Sequence, residues 1–287
     1  MTNKTTVAKV NINPPAGDVL IPTTATGPQG PTGQVNNGNL SSFLVNHGGD
    51  GASAHFIFAN LNGTISAWDK GPTAFVQVTT PGAVYTGLAI NGAQTRLYAA
   101  TAGGIDVFDS SFAPVDLGSG AFVDPELAAG LAPFNVRNIS GDIFVAYAPM
   151  GRLNQINAKR GAGAVAIFDE DGNFIKQVIA GDHLAAPWGM ALAPPSFGKF
   201  GNHLLVGNFS FDHSEIHGFE LPNGNFRGTV RIDTRRIPSG GLWSLDFGIG
   251  GNNGDPDTLY FTDGINHEAD GLFGAISFRR GPLGADD

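Results

Sequence analysis

An all-β repeat fold is predicted by three features of the chain: its composition, a motif recurring at near-constant spacing, and the same succession of strand-like runs after each copy. Forty-two glycines and eighteen prolines among 287 residues suit short strands joined by tight turns, because Gly accepts positive φ and Pro presets turn geometry. Twenty-one Phe against three Met point to aromatic packing on pleated surfaces. The motif reads Pro31-Thr32-Gly33, Tyr85-Thr86-Gly87, Pro133-Phe134-Asn135, Pro187-Trp188-Gly189 and Leu242-Trp243-Ser244. Its small residue returns every 48 to 55 positions. Self-similarity at that period with four strands per repeat defines the blade of a β-propeller.

Each element follows from its residues. The motif opens the first, innermost strand, where blades crowd together, so a small residue is required at its centre. A β-branched or aromatic second strand comes next, as in His55–Ala59, Arg96–Ala100, Ile143–Tyr147, Leu204–Asn208 and Thr258–Thr262. A third strand ends in an aromatic and usually an acid: Trp68-Asp69, Phe108-Asp109, Phe168-Asp169 and Phe219-Glu220, with Phe278 closing the last copy. A turn such as Asp169–Gly172 leads to a fourth strand, Asn173–Val178. We therefore expect one domain over 1–287, four-stranded antiparallel blades starting near 31, 85, 133, 187 and 241, and strand in more than half of the residues. A sandwich would not repeat so regularly.

A formal charge of −9, with no basic run beyond Arg235-Arg236 and Arg279-Arg280, disfavours nucleic acid as a partner. No apolar run reaches the eighteen or so residues of a membrane span. The N-terminal MTNKTTVAKVNINPP lacks the apolar centre of a signal peptide. Absence of cysteine removes disulfides, thiolate ligands and thiol nucleophiles, and suits either side of a membrane.

The strings GPQGPTGQV, AHFIFANLNGTISAWD, YTGLAINGAQTRLYAA, APWGMALAPPSFGKFGNHLLVGNFS and GGLWSLDFG resemble those of an uncharacterised bacterial family of exported β-propeller proteins. Some of its members end in a PEP-CTERM sorting tail, and the family is distantly similar to NHL-type six-bladed propellers. The resemblance runs from about Val19 to Phe278 and implies an extracellular or periplasmic location. Members begin with a further Pro-Trp-Gly segment, which has no counterpart before Thr5, and no sorting tail follows Asp287. The resemblance thus implies a six-bladed parent, represented here by five full blades and, over 1–25, the outer remnant of a sixth. A ring with a gap beside Thr6–Ile12 and a low melting temperature would follow.

Two kinds of candidate site stand out. Phe134, Trp188 and Trp243 share one place at the start of inner strands, while Asn60, Asn208 and Asp263 end second strands, with Asn135 beside Phe134. These would ring one mouth of the propeller channel with aromatic walls and convergent polar groups, the usual make-up of a ligand site. Alternatively, the aromatics plug the channel and the amides cap strand ends. His213, Glu215 and His217, at i, i+2 and i+4, would share a strand face and are candidates for a divalent metal such as zinc. Asn266–Asp270 is a further candidate for a metal, and Asp169–Gly172 and the oxygen-rich Gly250–Asp257 are candidates for calcium, each also readable as a polar turn. No Gly-x-Ser-x-Gly, phosphate loop or His-Glu-x-x-His occurs. The leading expectation is a non-enzymatic module that binds a small molecule, glycan or protein on the channel-mouth face. The alternative is a metal-dependent, lactonase-like hydrolase.

Overall fold

The computed structural model describes residues 19–22, 30–45, 51–221, 223–230, 232 and 240–278. Five antiparallel sheets follow one another along the chain. The first contains β1 (Pro31–Asn36), β2 (Phe56–Asn60), β3 (Thr64–Trp68) and β4 (Phe75–Thr79). The second holds β5 (Gly87–Ile90), β6 (Arg96–Thr101) and β7 (Gly104–Asp109). The third is β8 (Leu131–Ile139), β9 (Asp142–Pro149), β10 (Ala164–Phe168) and β11 (Phe174–Ala180), with the short helix α1 (Arg152–Ile156) between β9 and β10. In the fourth are β12 (Pro187–Leu192), β13 (His203–Asn208), β14 (Ile216–Glu220) and β15 (Phe226–Val230). The fifth comprises β16 (Leu242–Phe247), β17 (Thr258–Asp263) and β18 (Leu272–Ser277), with the turn α2 (Ile265–Glu268) before β18. Every sheet pairs its strands in chain order, as blades do.

The described residues divide into two compact units. One lies within Asn11–Met150 and Ala164–Gln177 and the other within Gly151–Gly163 and Val178–Asp287. In the first unit, β1, β5 and β8 lie side by side. One apolar cluster fills the space between the first two sheets, around Phe43, Ile57, Tyr85 and Leu97. Another fills that between the second and third, around Tyr98, Phe122, Val145 and Phe168. In the other unit β12 neighbours β16, and Phe200, Leu205, Leu245 and Phe261 form the corresponding core. Burial of such faces is what drives consecutive sheets together.

The glycines of the motif are explained by these neighbours. A Cβ on Gly33 would lie 2.6 Å from the backbone nitrogen of Leu88, and one on Gly189 would lie 2.9 Å from that of Leu245. In four of the five motifs the residue before the small one sits on a β-bulge. Register shifts fall between Pro31 and Gly33, Pro133 and Asn135, Pro187 and Met190, and Leu242 and Leu245. Bulges re-aim a side chain. Thr32 Oγ1 reaches the carbonyl of Tyr85 at the next sheet, 2.6 Å away.

Two expectations are corrected. Strand accounts for less than half of the described residues, because long loops such as Ser110–Gly130 carry turns and no strand. The blades also hold unequal numbers of strands. In the second sheet the fourth strand is reduced to a bridge between Phe108 and Pro114, because the chain pairs at Ala113 and Val115 and then turns away at Asp116. Among the described residues the fifth sheet has three strands. The Thr6–Ile12 stretch lies outside the described residues. Its neighbour Leu20 makes an isolated parallel bridge to Thr73, ahead of β4.

Candidate ligand site on the fourth and fifth sheets

Bulges at the starts of β12 and β16 bring Trp188 and Trp243 together, with ring centroids 4.5 Å apart and planes inclined at 32°. Phe209, just past the end of β13, meets Trp188 edge-on at 4.9 Å and Trp243 at 6.2 Å. The chain of rings continues through Phe211 to His267. Trp188 and Phe209 are buried, whereas Trp243 is half-buried. The indole N–H of Trp243 donates to Glu268 Oε1 at 3.0 Å, and the other carboxylate oxygen of Glu268 pairs with the Arg152 guanidinium.

Glu268 reaches this position through an unusual backbone. Asn266, His267 and Glu268 all have left-handed φ values, 53°, 57° and 66°. Each such L-residue costs roughly 1–2 kcal/mol relative to the right-handed region, and strain of this kind persists only where the surroundings enforce it. Here the Asn266 side chain donates to Asp270 at 2.6 Å, and Glu268 is anchored on Trp243 and Arg152. Sequence reasoning sees Glu268 only within a polar turn. Phe209 was also missed, although its position after the last residue of a second strand was a usable signal.

The other predicted site residues fall into two groups. In their own sheets, Asn60 pairs with Pro31, Asn208 with Pro187 and Asp263 with Leu242, so second-strand ends do meet inner-strand starts. Asn208, however, is fully buried. Its amide donates to the His183 carbonyl at 3.1 Å and accepts from Ala185 N–H at 3.0 Å. Asn60, also fully buried, donates to the Thr64 carbonyl, while its Oδ1 has no hydrogen-bond partner. Asp263 is buried and accepts from Gly240 N–H. In the other compact unit Phe134 is buried, and Asn135 Oδ1 accepts from Val136 N–H at 2.8 Å.

Among the described residues, no three His, Asp or Glu side chains converge on a point suited to a metal. Glu215 and His217 approach to 3.3 Å, but Glu215 is paired with Arg160 at 2.8 Å and His217 Nδ1 lies 2.6 Å from the His183 carbonyl. His213 belongs to a short 3-10 turn before the strand, so the alternation that would align it with the other two does not apply. Burial outweighs the neighbouring carbonyl and carboxylate and pushes the His217 pKa below its ordinary value. The Asp169–Gly172 segment is a hairpin turn. Asp169 Oδ1 accepts the N–H groups of Asp171 and Asn173, while Glu170 takes Asn91 Nδ2 and Asp171 takes Arg96. In Gly250–Asp257, Asp255 Oδ1 accepts from Asp257 N–H, closing a turn of its own.

No family model matches the chain. Three uncharacterized proteins of Acanthamoeba polyphaga mimivirus are similar to it. One is 27% identical over 84% of this chain and 46% of its own length. The second is 29% identical over 85% and 63%, and the third 27% identical over 91% and 66%. The chain thus spans between about half and two thirds of the length of the curated relatives it matches. These relatives are viral, whereas the sequence motifs suggested a bacterial family. Among solved structures, a gluconolactonase from Xanthomonas campestris aligns with a TM-score of 0.53 at 16% identity, covering 77% of this chain and 72% of that one. A chain of the nidogen/laminin complex aligns with a TM-score of 0.50 at 17% identity, covering 74% and 70%. Likeness at this identity shows the fold, and the protein is a β-propeller.

Proposed function

We propose that the protein is a non-enzymatic propeller that binds a small ligand, glycan or partner protein at the strand-end face where Trp243 is presented. The observation that carries this reading is the fixed, half-open indole. Trp243 is backed by Trp188, tethered through its N–H to Glu268, and leaves part of its ring available. A rigid aromatic surface with few rotamers to freeze is the kind of anchor that dominates binding energies. Beside it, the exposed guanidinium of Arg152, held by Glu268, supplies a donor for orientation. Action outside the cytoplasm belongs to the same proposal and rests on the resemblance of the blade motifs to exported proteins.

The test is a screen of soluble glycans and metabolites by thermal shift, since a ligand stabilises the state it binds, repeated with Trp243→Ala. A hit whose stabilisation vanishes in the variant supports the site. Hits that stabilise wild type and variant equally would move the site elsewhere.

A further inference from the structure

In the second sheet the third strand, β7, lies at the outer edge, where the first, third and fourth sheets add a fourth strand. On that side, among the described residues, β7 is met only by Ala113–Val115, through Asp109 N–H to the Ala113 carbonyl (2.9 Å) and Val115 N–H to the Val107 carbonyl (2.8 Å). Antiparallel alternation directs the N–H and C=O of Ile105 to the same side as those of Val107 and Asp109. No backbone group among the described residues meets Ile105 there. The chain leaves the edge at Asp116, whose Oδ1 accepts the N–H of Gly118 at 2.8 Å, and Gly118 takes a φ of 87° that favours glycine.

A cavity of about 290 Å³ opens beside this edge, lined by β7 from Ile105 to Phe108, by Asp116 and Leu117, and by Thr80. It carries two carboxylates, Asp106 and Asp116, and no Lys or Arg of the described residues lines it. Asp106 is held in place from inside the sheet. The hydroxyl of the fully buried Tyr85 bonds to its Oδ2 at 2.8 Å and to Thr80 Oγ1 at 2.7 Å.

We propose that this edge binds an extended basic segment of a partner protein by strand addition, its main chain pairing with Ile105 and a Lys or Arg side chain entering the cavity between Asp106 and Asp116. Unpaired edge groups template an added strand. The carboxylates select a cation through charge-assisted hydrogen bonds. The half-buried run from Gly104 to Asp106, ahead of the Val107–Val115 pairing, offers roughly 10 Å of edge at about 3.3 Å per residue, enough to seat about three residues of a segment. This surface lies in a different compact unit from Trp243, so the two proposals stand or fall separately.

The experiment uses the full chain and three labelled peptides read by fluorescence anisotropy: Val-Lys-Val-Lys-Val, its Glu counterpart, and a version of the Lys peptide with alternate backbone nitrogens methylated. The Lys peptide should bind, more weakly at high salt, and should slow amide exchange at Ile105. The Glu and methylated peptides should bind at least roughly tenfold more weakly, the first through lost charge pairing and the second through lost strand pairing. Asp106→Asn should weaken the Lys peptide. If that variant also melts lower through its lost Tyr85 contact, Asp116→Asn tests the same charge from the exposed side. Equal binding of the methylated peptide would mean a plain ammonium site and overturn strand addition. Equal binding of the Glu peptide, no binding at all, or unchanged exchange at Ile105 would also overturn it.

Discussion

Gly87 on β5 packs against Asn135 on β8 so closely that a Cβ at Gly87 would fall 2.1 Å from Asn135 Oδ1 and 2.9 Å from its Cα. Because backbone as well as side chain is in the way, Gly87→Ala should destabilise the protein by about 1–3 kcal/mol, the usual range for overpacking. Gly92→Ala, where nothing lies within 4 Å of the added methyl group, should stay within about 0.5 kcal/mol of wild type. Urea unfolding of the two variants checks both values. Equal melting would mean that the neighbouring sheets part without loss.

The acid recurring after the third-strand aromatic caps the turn that follows. Asp109 Oδ1 accepts from Ser111 and Ala113, and Asp169 Oδ1 from Asp171 and Asn173, at the same offsets. Burial pushes both carboxyls up, but these hydrogen bonds outweigh it and hold them below the ordinary aspartate range. A depressed folded pKa contributes stability above the unfolded value of about 3.9, and that stability is lost as pH falls through the folded pKa. Melting temperature should therefore drop below about pH 4. Asp109→Asn with Asp169→Asn should flatten that drop while lowering stability at pH 7.

His217 places a second step at higher pH. Its folded pKa lies below the unfolded value, chiefly through burial, so the unfolded chain takes up a proton first. Stability is full above about pH 6.5 and declines as pH falls below it. His217→Gln should remove this upper step and leave the aspartate step in place. A melting profile flat from pH 7 to 5 in the wild type would contradict the assignment.

How far the sequence reached follows from the type of signal. Gly33, Gly87 and Gly189 were legible because close backbone approach admits only a small residue, and that restriction recurs in three of the blades. The bulges behind Thr32, Phe134, Trp188 and Trp243 were not legible, since an extra residue in one strand leaves no mark in an alternating pattern. The inward turn of Asn208 was equally hidden. A polar residue ending a strand can serve a ligand or its own chain, and only the positions of the His183 and Ala185 backbones decide between them. Glu268 escaped because its contact with Trp243 depends on three successive left-handed residues, where L-residues enter that region singly rather than in runs.

That turn supplies the last prediction. His267 is exposed, its ring touches only Phe211 among the described aromatic rings, and its φ is 57°. Glycine removes the left-handed penalty of roughly 1–2 kcal/mol but adds unfolded-state entropy worth about 0.5–1 kcal/mol. His267→Gly should therefore be neutral to slightly stabilising. Glu268→Ala should instead cost about 1–3 kcal/mol, because it leaves the Trp243 N–H without its acceptor and Arg152 without its carboxylate. The tryptophan emission maximum separates the two: it should stay in place for His267→Gly and shift for Glu268→Ala as the indole loses its tether. Glu268→Gln, which keeps an oxygen for the indole but not the charge for Arg152, should fall between them. If Glu268→Ala leaves both emission and stability unchanged, the strained turn does not hold Trp243, and the reading of that indole as a fixed binding surface fails with it.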